Sequence, residues 1–227
     1  MKSIIGRKVG MTEVFAADGT MYPVTVIEVL PNVVIDKRTK EKNGYEALVV
    51  GYEDKAERKA NKAEKGAFKK AGVSPKEGIY ELKGEEIYGK NVGETLDCSL
   101  FQTGEVIDII GKHKGHGYTG VIKRYHNAVG PRGHGSGYHR GIGSVANNGR
   151  DNNRIIPGKH MSGHWGPEQV TVQNVTIVES NPEKGYVLVK GGVPGAKKSI
   201  VMLRTPARHQ FKKPVVKEIL DLTKKGE

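Results

Sequence analysis

The sequence predicts a mainly β protein: a small antiparallel β-barrel with a helical insertion and a long, irregular, basic loop extension. Three observations lead there. Short β-branched runs recur between Gly, Pro and Asn turn signals, the pattern of a meandering sheet or small barrel. One stretch rich in Ala, Lys and Glu interrupts them. Residues 111–169 hold 14 of the 31 glycines and 7 of the 8 histidines, with neither the helical nor the strand period.

The elements follow in chain order. Residues 1–8 carry charge and lack an apolar run of signal-peptide length. Residues 20–30, bounded by Gly19 and Pro31, read as a strand, as do residues 47–52 after the turn signal Asn43-Gly44. Residues 53–71 read as a solvated helix whose thin apolar face is Ala56, Ala60, Ala63, Ala67 and Phe68; a plain surface helix and one packed lightly on the barrel or on RNA fit equally. Residues 95–100 read as a strand or strand entry, with Cys98 in it. Further strands are expected at 106–110, 170–178, 186–190 and 199–203. The implied organisation is a barrel body from 1–110 and 170–220, with its helical insertion near 53–71. The extension spans 111–169 and a flexible tail 221–227.

Composition narrows the function. Only 36% of the 227 residues are hydrophobic and 6% aromatic, so part of the chain is expected to gain its order from a partner. Lys and Arg number 37 against 25 Asp and Glu, a net charge of +12 and a sequence pI near 9.6. That excess attracts polyanions, nucleic acid or an anionic membrane surface; a merely charged soluble surface is the plain alternative. A single cysteine, Cys98, excludes an internal disulfide and a cysteine-based zinc knuckle, and it reads as a buried thiol. No run of eighteen apolar residues occurs, so no membrane-spanning helix is expected, and a reducing, cytosolic compartment is.

The extension carries the chemistry. Lys112, Lys114, Lys123, Arg124, Arg132, Arg140, Arg150, Arg154 and Lys159 face only Asp151 and Glu168, which places +7 of the +12 there. Glycine lets backbone come close to a phosphate, Arg donates to it at two points and Lys supplies a mobile charge. Tyr118, Tyr125, Tyr138 and Trp165 offer faces for stacking on bases, and His126, His139 and His164 stack or donate. Residues 133–141 interleave all of these types.

Three other chemistries fit less well. His113 with His116, and His160 with His164, have ligand-like spacing, but neighbouring Lys and Arg repel a cation and no carboxylate completes a zinc set. Gly135, Gly137 and Gly141 are spaced one residue too wide for a dinucleotide fingerprint, and no phosphate-loop motif occurs. Ser136 or Ser144 beside a histidine lacks an acidic orienter and an apolar pocket. An RNA-modifying enzyme on a similar barrel would need convergent carboxylates, and a general RNA chaperone would bind diverse RNAs.

Ordered matches along nearly the whole chain resemble the universal large-subunit ribosomal protein three, in its shorter bacterial form. Gly6, Lys8, Gly10, Met11, Thr12 and Phe15, then Gly19 and Pro23 to Glu28, resemble that family's start. Lys114, His116, Gly117, Gly120, Lys123 and Arg124 resemble the way into its loop. His134, Gly135, His139, Arg140, Gly143 and Ser144 resemble the loop body. Pro157, Lys159, Met161 and Gly163, Gln173 and Asn174, and Lys190, Pro194 and Gly195 resemble the exit and last strands.

The resemblance implies a non-enzymatic structural constituent of the large subunit, with a β-barrel body on the subunit surface. It implies an internal extension that enters ribosomal RNA and approaches the peptidyl transferase centre, and early binding during assembly. The implied partners are large-subunit (23S-type) ribosomal RNA and neighbouring large-subunit proteins. No cofactor, metal, membrane or small-molecule substrate is expected, and the location is cytoplasmic. The candidate RNA-binding residues are Lys112, Lys114, His116, Lys123, Arg124, His126, Arg132, His134, His139, Arg140, Arg150, Arg154, Lys159, His160 and Trp165. Val145, Ala146, Asn147, Asn148 and Gly149 would form the tip near the peptidyl transferase centre. The chain departs from the family at Ile142, where Pro is frequent, and at 145–149, which lacks the glutamine that many bacterial members methylate. About one extra residue precedes Pro157.

Overall fold

A computed structural model describes residues 1–145, 154–208 and 216–220. The chain divides into two units, Met1–Lys112 with Gln169–Glu227, and His113–Glu168.

In the first unit the strands are β1 (Ser3–Phe15), β2 (Met21–Val29) and β3 (Asn32–Arg38). A helical turn α1 (Lys40–Asn43) leads to β4 (Ala47–Asp54), helix α2 (Lys62–Ala71), β5 (Lys76–Leu82), a turn of helix α3 (Glu85–Tyr88), β6 (Thr95–Leu96) and β7 (Val106–Lys112). The second unit holds β8 (Tyr118–Thr119), α4 (Val121–Tyr125) and β9 (Gly163–His164). The chain then returns through β10 (Gln169–Asn181), β11 (Tyr186–Lys190) and β12 (Ile200–Arg204).

Six strands close into an antiparallel barrel in the order β1-β12-β7-β10-β11-β2. Alternate residues bury themselves, as the two-residue period of a strand requires: Ile107 and Ile109, Val187 and Val189, Val201 and Leu203. Closure leaves no edge strand to aggregate. Where β1 meets β2 the backbones come so close that a Cβ on Gly6 would lie 2.6 Å from Ile27 Cγ2 and 2.8 Å from the Glu28 carbonyl oxygen. Only glycine fits there.

A separate sheet, β5-β4-β3-β6, packs on the same apolar cluster through Val34, Leu48, Val50, Leu82 and Leu96. Asn32 ties the two sheets. Fully buried, it donates to the carbonyls of Ile5 (2.9 Å) and Leu30 (2.6 Å) and accepts from the Ile5 amide at 3.2 Å. A buried amide so satisfied costs little and fixes the register of β3 against β1.

Several limits differ from the sequence reading. The strand expected at 47–52 is present but belongs to the second sheet and not to the barrel. The helix expected over 53–71 is confined to Lys62–Ala71, because β4 continues to Asp54, which pairs with Lys76, and a 3-10 turn occupies Glu57–Lys59. Glu64 reaches back to the Asn61 amide (3.1 Å) and starts the helix there; Gly72, left-handed, stops it. Residues 95–100 form strand only at Thr95–Leu96, followed by a 3-10 turn over Cys98–Leu100. Cys98 is buried, its thiol facing the Asn181 carbonyl at 3.4 Å, and burial pushes its pKa up. Ala16 bridges Ile219, which returns residues 216–220 to the body; the tail at 221–227 lies outside the described residues.

Candidate nucleic-acid interface

Residues 113–168 fold with almost no hydrophobic core: among those described, only Thr119 and Val121 are buried. Rings and backbone bonds hold the unit instead. The two arms run antiparallel, the His113 amide donating to Glu168 O (2.8 Å), His116 to Trp165 O (2.9 Å) and Trp165 to Gly117 O (3.0 Å). Between them His116 stacks on Trp165 at 4.1 Å and 21°, and His113 lies 5.6 Å from the same indole. Tyr118 meets His164 edge-on at 5.7 Å beside the short β8–β9 ladder.

The next layer is α4, which ends where His126 turns left-handed. Arg124 donates to the Met161 carbonyl at 3.2 Å, and its guanidinium lies 5.0 Å from the Tyr125 ring. Tyr125 in turn stacks on His160, 4.1 Å apart and nearly parallel, and His160 Nδ1 lies 3.2 Å from Asn127 Oδ1. A third device is built around Tyr138. Its hydroxyl donates to the Gly141 carbonyl at 2.7 Å, and a Cβ on Gly130 or Gly141 would meet its ring within 2.6 Å. The Gly130 amide donates to His139 O (2.8 Å), and His139 Nδ1 faces Pro131 O at the same distance. Glycine here makes room for a tyrosine clasp. Lys159 crosses to the Ser144 carbonyl at 3.1 Å.

The candidates thus separate. Lys112, at the end of β7, and Lys114, Lys123, Arg132 and Arg140 are exposed and form no ion pair among the described residues. His134 and Arg154 are exposed too, and His126 caps α4. Arg124, His116, His139, Lys159, His160 and Trp165 are engaged inside the unit, so part of the ring surface read as available for bases is stacked on other rings. Val145 is partly buried; Ala146, Asn147, Asn148, Gly149 and Arg150 lie outside the described residues. Tyr125's partner and the role of Gly130 had no sequence signal, since both depend on residues 8 to 35 positions away. Among the described residues no three His, Cys, Asp or Glu side chains gather as a metal site.

The ring stack has a pH signature. Partial burial, then Lys123, His113 and Lys114, push the His116 pKa below its ordinary value of 6.5. The stacked state holds the proton less tightly than the open one, so the neutral stack prevails at pH 7 and acid opposes it. Trp165 is the sole tryptophan and reports directly on the stack. Its emission should change between pH 8 and pH 5 with a midpoint below 6.5; a midpoint at or above 6.5 would show that the ring is not shielded as described.

Body and second unit together define a class of protein: a closed β-barrel carrying a coreless, ring-braced excursion that is rich in cations and poor in acids. Comparison with known proteins supplies the family. A family model for ribosomal protein L3 matches residues 90–185. The large ribosomal subunit protein uL3 of Oceanobacillus iheyensis is 46% identical over 207 residues, covering 91% of this chain and 98% of the relative. That of Spiroplasma kunkelii is 47% identical over 204 residues (90% and 78%), and that of Bacillus thuringiensis strain Al Hakam 47% over 203 (89% and 96%). The chain belongs to the uL3 family of large ribosomal subunit proteins. It is therefore a ribosomal protein and not an enzyme.

Proposed function

We propose that this chain is a structural constituent of the large ribosomal subunit whose residues 111–169 bind large-subunit (23S-type) ribosomal RNA. The carrying observation is the set of exposed cations, Lys114, Lys123, Arg132 and Arg140, held on a braced backbone with no acid paired to them among the described residues. Phosphates are the natural complement, and bracing before binding reduces the ordering cost. The rings of Trp165 and Tyr125 act mainly as internal struts, and Arg and Lys make the outward contacts.

The family resemblance supports the finer reading. In it the barrel body sits on the subunit surface beside neighbouring large-subunit proteins. The unit extends toward the peptidyl transferase centre with residues 145–149 at its tip, and binding comes early in assembly. The location is the cytoplasm; no helix among the described residues is long and apolar enough to cross a membrane.

Sedimentation of tagged full-length protein from a lysate, at low and at high salt, tests the proposal. Comigration with the large subunit that persists in high salt is expected. Protein left at the top of the gradient in low salt would defeat it.

A further inference from the structure

The barrel body offers a second feature, lined by none of residues 113–168. A cavity of about 460 Å³ lies where four barrel strands, β1, β7, β10 and β12, face the four-stranded sheet. Its floor is a row of register partners across β1, β12 and β7: Ile5 opposite Met202, and Met202 opposite Ile110. Tyr52 of β4 and Tyr80 of β5 wall it, ring centroids 6.0 Å apart and tilted by 39°. Lys112 and Gln169, themselves cross-strand partners, form the rim. The Tyr52 and Tyr80 hydroxyls, the Gln169 amide and the Lys112 ammonium form no hydrogen bond with any described residue.

Apolar floor, aromatic walls and a few unpaired polar groups are the marks of a ligand site, and the volume falls within the ~300–1,000 Å³ usual for one. The groups also specify the ligand. Tyrosine faces stack on a flat ring, an amide pairs with a ring edge that both donates and accepts, and an ammonium at the rim meets a phosphate. An aliphatic side chain from a neighbouring protein would leave Gln169 and Lys112 unused.

We propose that this cavity takes one unstacked nucleobase of the large-subunit ribosomal RNA, with Lys112 on its phosphate. The inference rests on the ribosomal RNA-binding reading above but uses none of the residues of the second unit.

Zero-length ultraviolet cross-linking of large subunits carrying tagged full-length protein, followed by mass spectrometry, is the test. A nucleotide adduct is expected on the peptide bearing Tyr52 or Tyr80. Alongside it, Tyr80→Ala, at a residue 42% exposed and so tolerant of truncation, should weaken binding to transcribed large-subunit RNA. About tenfold is expected, since one stacked base contributes ~1–3 kcal/mol, and the salt slope should not change. Lys112→Gln should instead lower that slope by ~0.7–0.9. The proposal is overturned if residues 113–168 cross-link to RNA while Tyr52 and Tyr80 do not and Tyr80→Ala binds as the parent; RNA binding by the second unit would then stand alone. A cross-link from Tyr80 to another protein overturns it equally. Absence of the chain from the large subunit would remove the RNA-binding reading as well.

Discussion

Asp108→Ala is expected to lower the free energy of unfolding by about 3–5 kcal/mol, the range for removing one partner of a buried charged network. Asp108 is 1% exposed on β7, and three donors from two segments, β10 and the stretch at the end of β12, converge on its carboxylate. The Asn174 amide donates at 3.0 Å, the Ala207 amide at 3.1 Å, and the Arg204 guanidinium lies 3.7 Å away. Asn174 sits at φ 58 in an irregularity of the β7–β10 ladder between Val172 and Val175, so its amide has left the regular ladder and needs this acceptor. Alanine would take this acceptor from two amides and a guanidinium. Against a typical total of 5–15 kcal/mol the loss would leave the barrel marginal. Asp108→Asn keeps an oxygen acceptor and should fall between the two. Urea titrations of the three proteins decide it, and an alanine variant within ~1 kcal/mol of the parent would mean that water replaces the carboxylate.

Asp108 also marks where sequence reading reached its limit. Residues 106–110 read as a strand because four of the five are apolar and β-branched, and they form one. Nothing local says that the lone acid among them points at Asn174, 66 residues on, and Ala207, 99 residues on. The same reason hides β1. In Ser3–Phe15 the alternation is broken by Gly6 and by Lys8, which is buried and donates to the carbonyls of Val193 (2.6 Å) and Gly195 (3.1 Å). A lysine inside and a glycine where backbones touch are tertiary solutions that erase the strand signature. β3 and β5 were hidden similarly, since Asp36, Lys37, Glu77 and Glu81 dilute short apolar runs. Local propensity over 53–71 favoured helix throughout, yet pairing of Asp54 with Lys76 prevailed over propensity at its start.

The candidate site was legible in composition and less so in geometry. Charge, glycine and aromatic content marked 111–169 as one functional stretch, and the family resemblance rests largely on motifs there. Which aromatics stack internally was not legible, because His116 with Trp165 and Tyr125 with His160 are pairs made only when the two arms meet. The same holds for Arg124. Its charge suggested a phosphate contact, while its bond to Met161 and its place over Tyr125 make it a brace as well. Tyr52 and Tyr80 carry no such signal either, because their rings meet only when β4 pairs with β5.

That separation of braces from outward cations sets the second large effect. The triple variant Lys123→Gln/Arg132→Gln/Arg140→Gln removes three charges that form no ion pair among the described residues. If each meets a phosphate, the slope of log affinity against log salt should fall by about 2–3, at ~0.7–0.9 per charge. Near 0.1 M salt the same relation gives a loss of roughly 100–500-fold in affinity for large-subunit RNA. Unfolding of the barrel should be unchanged, because exposed unpaired cations contribute little to stability. The brace variant Arg124→Ala should behave differently: its slope falls by one charge at most, and the Trp165 emission shifts even without RNA as the two arms loosen. Filter binding across a salt series, with Trp165 fluorescence and urea melts of the free proteins, separates the two. An unchanged slope in the triple variant would mean that the exposed cations face solvent and that the engaged residues carry recognition. A lowered melt would mean that these side chains hold the fold itself.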